Sequence, residues 1–151
     1  MIHFSNTKYN HLKKIVVVLL VLCCLKLSAQ DKATVQIMAN LQSQKIAWNE
    51  GSIENYMQHY WRNDPLLFIS KSGPEYGWQK IRDNYLKFYP DKATMGKLDL
   101  KIIHTQKISK TCYNIIGKWD ITSVKGNAGG YFTLLWKKLN GAWVIVQDHT
   151  N

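Results

Sequence analysis

The chain has 151 residues, with 20 Lys and Arg against 10 Asp and Glu, and a formal net charge of +10. At 46% hydrophobic and 12% aromatic residues it is too apolar for a disordered chain, and its length leaves room for one domain and no second. The lysines are scattered, for example Lys71, Lys87, Lys97, Lys107 and Lys125, which reads as a solvated basic surface and argues against nucleic-acid binding.

Residues 1–29 hold Lys8, Lys13 and Lys14 with no acid, then an apolar run from Ile15 to Leu25, then Lys26-Leu-Ser-Ala29. Basic, apolar and small-residue regions in that order predict a secretory signal peptide, because the apolar run is too short to span a bilayer comfortably. Cleavage is expected after Ala29; a retained N-terminal anchor is the alternative, since Leu27 is large for its position before the cut. Lipidation at Cys23 or Cys24 lacks the small residues it needs upstream. The mature chain is then a single domain, residues 30–151, periplasmic or secreted, free of the membrane after cleavage. Its formal charge falls from +10 to +6, because 4 lysines and no acids leave with the signal. Only Cys112 remains, so no intramolecular disulfide can form, and a small packed side chain is a simpler role for it than a nucleophile.

From Thr34 to Glu50 the residues Ile37, Met38, Leu41, Ile46 and Trp48 recur at helical spacing, and Gly51 stops the helix. Ser52 is a natural N-cap for a second, short helix carrying Ile53, Tyr56, Met57 and Tyr60 on one stripe. Leu66-Leu-Phe-Ile-Ser70 reads as a short strand and Lys71-Ser-Gly-Pro74 as a turn. A third helix is predicted over about Gly77 to Tyr89, with Trp78, Ile81, Tyr85, Phe88 and Tyr89 inward, and helices are expected to end at Pro90. From Lys97 the period becomes two, which predicts long strands through Leu98–Thr105 and Tyr113–Ile121.

The last stretch, from Gly130, predicts a β-hairpin about Asn140-Gly141, the dipeptide that best tolerates a type I′ turn. With those two residues as the loop, Trp136 pairs with Ile145, Thr133 with Asp148 and Phe132 with His149. One face then carries Phe132, Leu134, Trp136, Trp143, Ile145, Gln147 and His149; the other carries Tyr131, Thr133, Leu135, Val144, Val146 and Asp148. Both faces are largely apolar, so neither is expected to lie fully in water.

Three helices and a short strand followed by four long strands predict an α+β fold in which a curved antiparallel sheet wraps the helices. At this point the chain resembles the nuclear transport factor 2-like superfamily, and within it the SnoaL-like and steroid-isomerase-like proteins of unassigned activity. The resemblance rests on the order and spacing of Ala47-Trp48-Asn-Glu-Gly51, Tyr60-Trp61, Leu67-Phe-Ile-Ser70, Tyr76-Gly77-Trp78, Tyr89-Pro90, Gly117-Lys-Trp119, Gly130-Tyr-Phe-Thr-Leu-Leu-Trp136 and Gly141-Ala-Trp-Val-Ile-Val-Gln-Asp-His-Thr150. It implies a cone-shaped domain, three N-terminal helices packed on a strongly curved antiparallel sheet, enclosing one apolar pocket. It also implies a homodimer through the outer sheet face.

Six tryptophans and eight tyrosines supply such a pocket with rings. Trp48, Trp119, Trp136 and Trp143 read first as core or interface packing, with Trp119 retained as a ligand-binding candidate; Tyr60, Trp61, Trp78 and Tyr85 fall nearer the mouth that the resemblance implies. The resembled steroid isomerases keep a carboxylate base on the first short strand, where Ser70 stands here, and a hydroxyl alone cannot take a proton from a carbon acid. The catalytic candidates are therefore Asp148 and His149 on the last strand. Adjacent strand residues face opposite ways, so only one enters the pocket unless a bulge intervenes, and the polar company of Tyr131 and Thr133 favours Asp148. An inward Asp148 needs a hydroxyl partner such as Tyr60, Thr133 or Tyr131. The alternative is that either residue simply hydrogen-bonds at the strand end. His59, His104 and His149 lie on separate elements with no metal-ligand spacing, and no cofactor motif occurs. Three functions remain open: binding of a small apolar molecule, cofactor-free isomerase, cyclase or hydrolase chemistry at Asp148 or His149, and a structural dimer with a filled cone.

Overall fold

The computed structural model describes residues 31–151; the expected signal peptide, residues 1–29, lies outside them. Helix α1 (Lys32–Glu50) buries the stripe Ile37, Asn40, Leu41, Gln44, Ala47 and Trp48, the helical period the sequence suggests. Ile46, expected inward, is 47% exposed, and its place on the stripe is taken by Asn40 and Gln44. Both amides are satisfied: Asn40 Nδ2 donates to the Trp143 carbonyl at 3.4 Å and Gln44 Nε2 to the Tyr56 carbonyl at 3.1 Å.

Ser52 caps helix α2 (Ile53–Tyr56), accepting from the Asn55 N–H, and a 3-10 turn (Met57–His59) follows. Strand β1 (Leu67–Ser70) then turns back at Lys71-Ser72 into β2 (Gly73–Tyr76), which corrects the expectation of a plain turn there. Pro74 is tolerated because β2 is the outermost strand and its missing N–H costs no inner ladder bond. Helix α3 (Trp78–Phe88) comes next, and the chain makes one more helical turn past Pro90, α4 (Lys92–Met95), because Asp91 accepts from the Thr94 N–H at 2.7 Å.

The remaining strands are β3 (Lys97–Ser109), β4 (Cys112–Ser123), β5 (Gly126–Leu139) and β6 (Ala142–Thr150). They form one six-stranded sheet in the order β2-β1-β6-β5-β4-β3. The sheet is mixed and not antiparallel throughout, because β1 runs parallel to β6, with Phe68 opposite Asp148. The fold is α+β, with the helices over one face of a curved sheet. A bulge in β3 at Ile102/His104 and another between β5 and β6 add bend and twist. Trp48, Met57, Leu66, Trp136 and Ile145 lie in the core between helices and sheet.

Candidate functional site

The β5–β6 hairpin decides which side chains reach the interior. Asn140 and Gly141 hold φ values of 49° and 86°, the positive pair that a type I′ turn requires, and pairing starts as the turn dictates, through Trp136 opposite Ile145. Beyond that pair β6 carries one extra residue: Leu135 meets Gln147, Leu134 meets Asp148 and Thr133 meets His149. The bulge at Val146 thus moves Asp148 from the face of Thr133 to the face of Phe132, Leu134 and Trp136, and sends His149 outward. Asp148 does face inward, but among apolar neighbours and not in the polar company expected.

Asp148 is 4% exposed. Tyr60 lies beside β6, bridged to Ile145, and the next N–H, of Trp61, donates to the Ile145 carbonyl at 2.9 Å. Held there, the Tyr60 hydroxyl donates to Asp148 Oδ2 at 2.6 Å, a charge-assisted length when the carboxyl is ionised. Asp148 Oδ1 has no hydrogen-bond partner among the described residues, nor has the indole Nε1 of Trp119. Burial pushes the Asp148 carboxyl up from 3.8 to about 7, with the Tyr60 hydrogen bond pulling the other way. Burial and the nearby Asp148 charge push the phenols of Tyr60 and Tyr85 well above 10.0 and that of Tyr56 to about 12. All three are therefore neutral hydroxyls at any physiological pH.

These groups form part of the wall of a cavity of about 830 Å³ between the helices and the sheet. Trp48, Tyr56, Tyr85 and Tyr89 meet edge to face or stacked, with ring centroids 4.8 to 6.2 Å apart, and Phe68 adds its ring against Tyr85. Across from them lie Trp119, Phe132 and Leu134 of the sheet. Ser70, Lys71, Ser72, Glu75, Asn84 and Asn127 add a polar side to the wall. Asn84 Nδ2 donates to both Glu75 oxygens at 2.9 Å, which fixes that carboxylate.

Of the residues the sequence singles out, Tyr60, Ser70, Tyr85, Trp119 and Asp148 share this wall. Trp61, Trp78 and His149 are not part of it. Trp78 is 5% exposed and structural: its indole N–H donates to the Met57 carbonyl at 3.2 Å, and the Arg62 guanidinium lies 4.3 Å from the ring centroid. His149 is exposed on the outer face, opposite Thr133. Trp48, Tyr56, Phe68 and Tyr89 belong to the wall although sequence reasoning assigned them to packing or to a strand alone; a helical stripe that faces a core and one that faces a cavity have the same period. No group of three or more metal-ligating side chains occurs among the described residues.

No family model matches the chain, and no curated protein matches it. Solved structures do. An NTF-2 like protein of unknown function from Shewanella oneidensis MR-1 is 37% identical, with a TM-score of 0.76, over 78% of this chain and 98% of that one. An NTF2-like superfamily protein from Salmonella enterica serovar Typhimurium LT2 is 22% identical, with a TM-score of 0.60, over 79% of this chain and 91% of that one. A ketosteroid isomerase-like protein from Erwinia carotovora atroseptica SCRI1043 shares the fold at 12% identity and a TM-score of 0.62, over 79% and 95%. The 37% identity and near-complete coverage of the Shewanella protein establish that this chain belongs to the NTF2-like family.

Proposed function

We propose that this protein binds a small, mostly apolar molecule inside the cone formed by its helices and curved sheet, with the ligand's polar end against Asp148. The observation that carries the reading is a carboxyl only 4% exposed, bonded on one oxygen by Tyr60 and unpartnered on the other, in a cavity whose wall includes a cluster of aromatic rings. A largely apolar cavity of about 830 Å³ with a few placed polar groups, of which Asp148 is the buried carboxyl, is the usual construction of a small-molecule site. The same volume counts against a filled, purely structural cone.

A second reading, cofactor-free acid/base catalysis, has one observation in its favour: Asp148, pushed up to about 7, is poised both to hold and to release a proton near neutral pH. Ser70 supplies only a hydroxyl on β1 and the Glu75 carboxylate is engaged by Asn84, so proton abstraction at the buried end falls to Asp148. The order of the first 29 residues further supports export and a mature chain beginning at Gln30, which intact-mass measurement of the exported protein tests.

The binding experiment uses Nile red, a neutral apolar dye, titrated into the protein. Ala128, an exposed residue on the cavity wall, is replaced by tryptophan to narrow the opening without disturbing the core. Saturable binding of one dye per chain, weakened about tenfold by Ala128→Trp, is expected. Unsaturable binding, or binding indifferent to that substitution, removes the cavity as the site.

A further inference from the structure

The cavity is unevenly charged. Apart from tyrosines, its ionisable wall residues are Asp148, Glu75 and Lys71. Lys71 is exposed, at the β1–β2 turn, and Glu75 is engaged by Asn84, with Lys80 3.9 Å away. The buried end therefore holds one carboxyl and no cation. The groups of electrostatic weight facing Asp148 are Tyr60 from the turn after α2, Tyr56 of α2 and Tyr85 of α3, all neutral, while β1 and β5 present Phe68 and Leu134.

A carboxylate among uncharged side chains, with one hydroxyl donor and no cation beside it, makes a region of negative potential in a low-dielectric setting. A ligand carboxylate or phosphate entering this region meets repulsion with no arginine, lysine or histidine to offset it. A ligand hydroxyl can donate to the free Asp148 oxygen, but it leaves the carboxylate charge unbalanced. A protonated amine both fills the vacant hydrogen-bond position and balances the charge, and the rings of Tyr56, Tyr60 and Phe68 can solvate its edges.

We propose that the ligand of this cavity is an organic cation, an apolar ring-bearing molecule with a protonated amine that seats on the free oxygen of Asp148. The proposal rests on the binding reading above and narrows it to one chemical class. It also gives the Tyr60 hydroxyl a purpose: with Oδ2 already satisfied, the carboxylate has a single oxygen left to direct toward the ammonium.

Three probes that share one ring system and differ only in the end group decide the matter: naphthylethylamine, naphthylethanol and naphthylacetate, titrated calorimetrically near neutral pH. The amine is expected to bind about tenfold or more tightly than the alcohol, and the acetate more weakly than either. Asp148→Asn should bring amine and alcohol to within a few-fold of each other. Should that variant fold poorly, the wild type alone suffices. Its preference for amine over alcohol should fall as pH drops below about 7, because the amine keeps its charge while Asp148 takes up a proton. Equal or tighter binding of the alcohol or the acetate overturns the amine assignment and leaves the cavity as a binding site. Failure of all three probes with Nile red still bound also overturns it, whereas loss of Nile red binding as well overturns the binding reading itself.

Discussion

The Tyr60 hydroxyl donates to Asp148 Oδ2 at 2.6 Å across 88 residues of sequence, tying the segment before β1 to the end of the last strand. Since the bond favours the ionised carboxyl, Tyr60→Phe should raise the Asp148 pKa above its present value of about 7. Loss of a bond to a buried carboxylate should also lower stability by about 1–3 kcal/mol where Asp148 is ionised, and by less where it is protonated. Carbon-detected NMR titration of the aspartate carboxyls, with urea unfolding on either side of neutral pH, measures both. A carboxyl resonance that titrates unchanged in the variant would mean that the bond does not act on Asp148.

The pair shows how far the sequence could be read. Helical stripes through Trp48 and Tyr56 and the Asn140-Gly141 turn were legible because each depends on local geometry: a 3.6-residue period and two positive φ values. The bulge at Val146 was not, since Val144-Ile-Val146 is uniformly apolar and β-forming and nothing within one strand marks which residue is extra. Asp148 was therefore expected inward with Thr133 and Tyr131, and it is inward with Leu134 and Phe132. Tyr60, one of three hydroxyls considered as its partner, is the one that meets it. The edge strand β2 was missed because Gly73-Pro74 resembles a turn, and only its outermost place makes that proline acceptable. Trp78 was expected at the mouth because helix starts border it in this topology, yet the ring turns into the core to satisfy its N–H on Met57.

The outer sheet face leads to a prediction about assembly. Ile116, Leu135 and Val144 are half-buried there, and Tyr131 and Ile103 are 57% and 54% exposed, apolar side chains on the face away from the described helices. A second copy of the chain is the proposed cover, through a two-fold interface. Light scattering at micromolar concentration should give the mass of two mature chains, and Leu135→Asp should give that of one. A wild-type monomer mass would end the proposal.

Gly117 offers a test of the cavity wall. A Cβ built there would fall 2.2 Å from Cζ of Phe132, so the absence of a side chain on β4 is what lets that ring lie flat across the strand. Gly117→Ala must push the ring toward the cavity or strain the sheet, at a cost of about 1–3 kcal/mol. Urea unfolding should record the loss, and Nile red should bind more weakly to the folded variant. A variant as stable as the wild type would show that Phe132 moves without penalty.

The last prediction follows from the titration of Asp148. Its folded pKa, about 7, is raised above the ordinary 3.8, so between these values the folded chain holds a proton that the unfolded chain has released. The stabilising effect of that bound proton is complete below 3.8 and is lost as pH rises through about 7, above which stability is flat with respect to this group. At 1.36 kcal/mol per unit the full span is on the order of 4 kcal/mol. Asp91 and Asp99 titrate in the opposite sense, held low by the Thr94 backbone N–H and by Lys45, but both are exposed and common to wild type and variant, so they cancel in a difference. In Asp148→Asn the amide carries no proton equilibrium and still accepts from Tyr60. Stability of Asp148→Asn relative to wild type should therefore climb steadily from about pH 5 to about pH 7 and level off beyond it. Urea midpoints measured across that range give the curve directly. A difference that stays constant with pH would mean that Asp148 titrates alike in the folded and unfolded chains, and would overturn the assignment of a raised folded pKa.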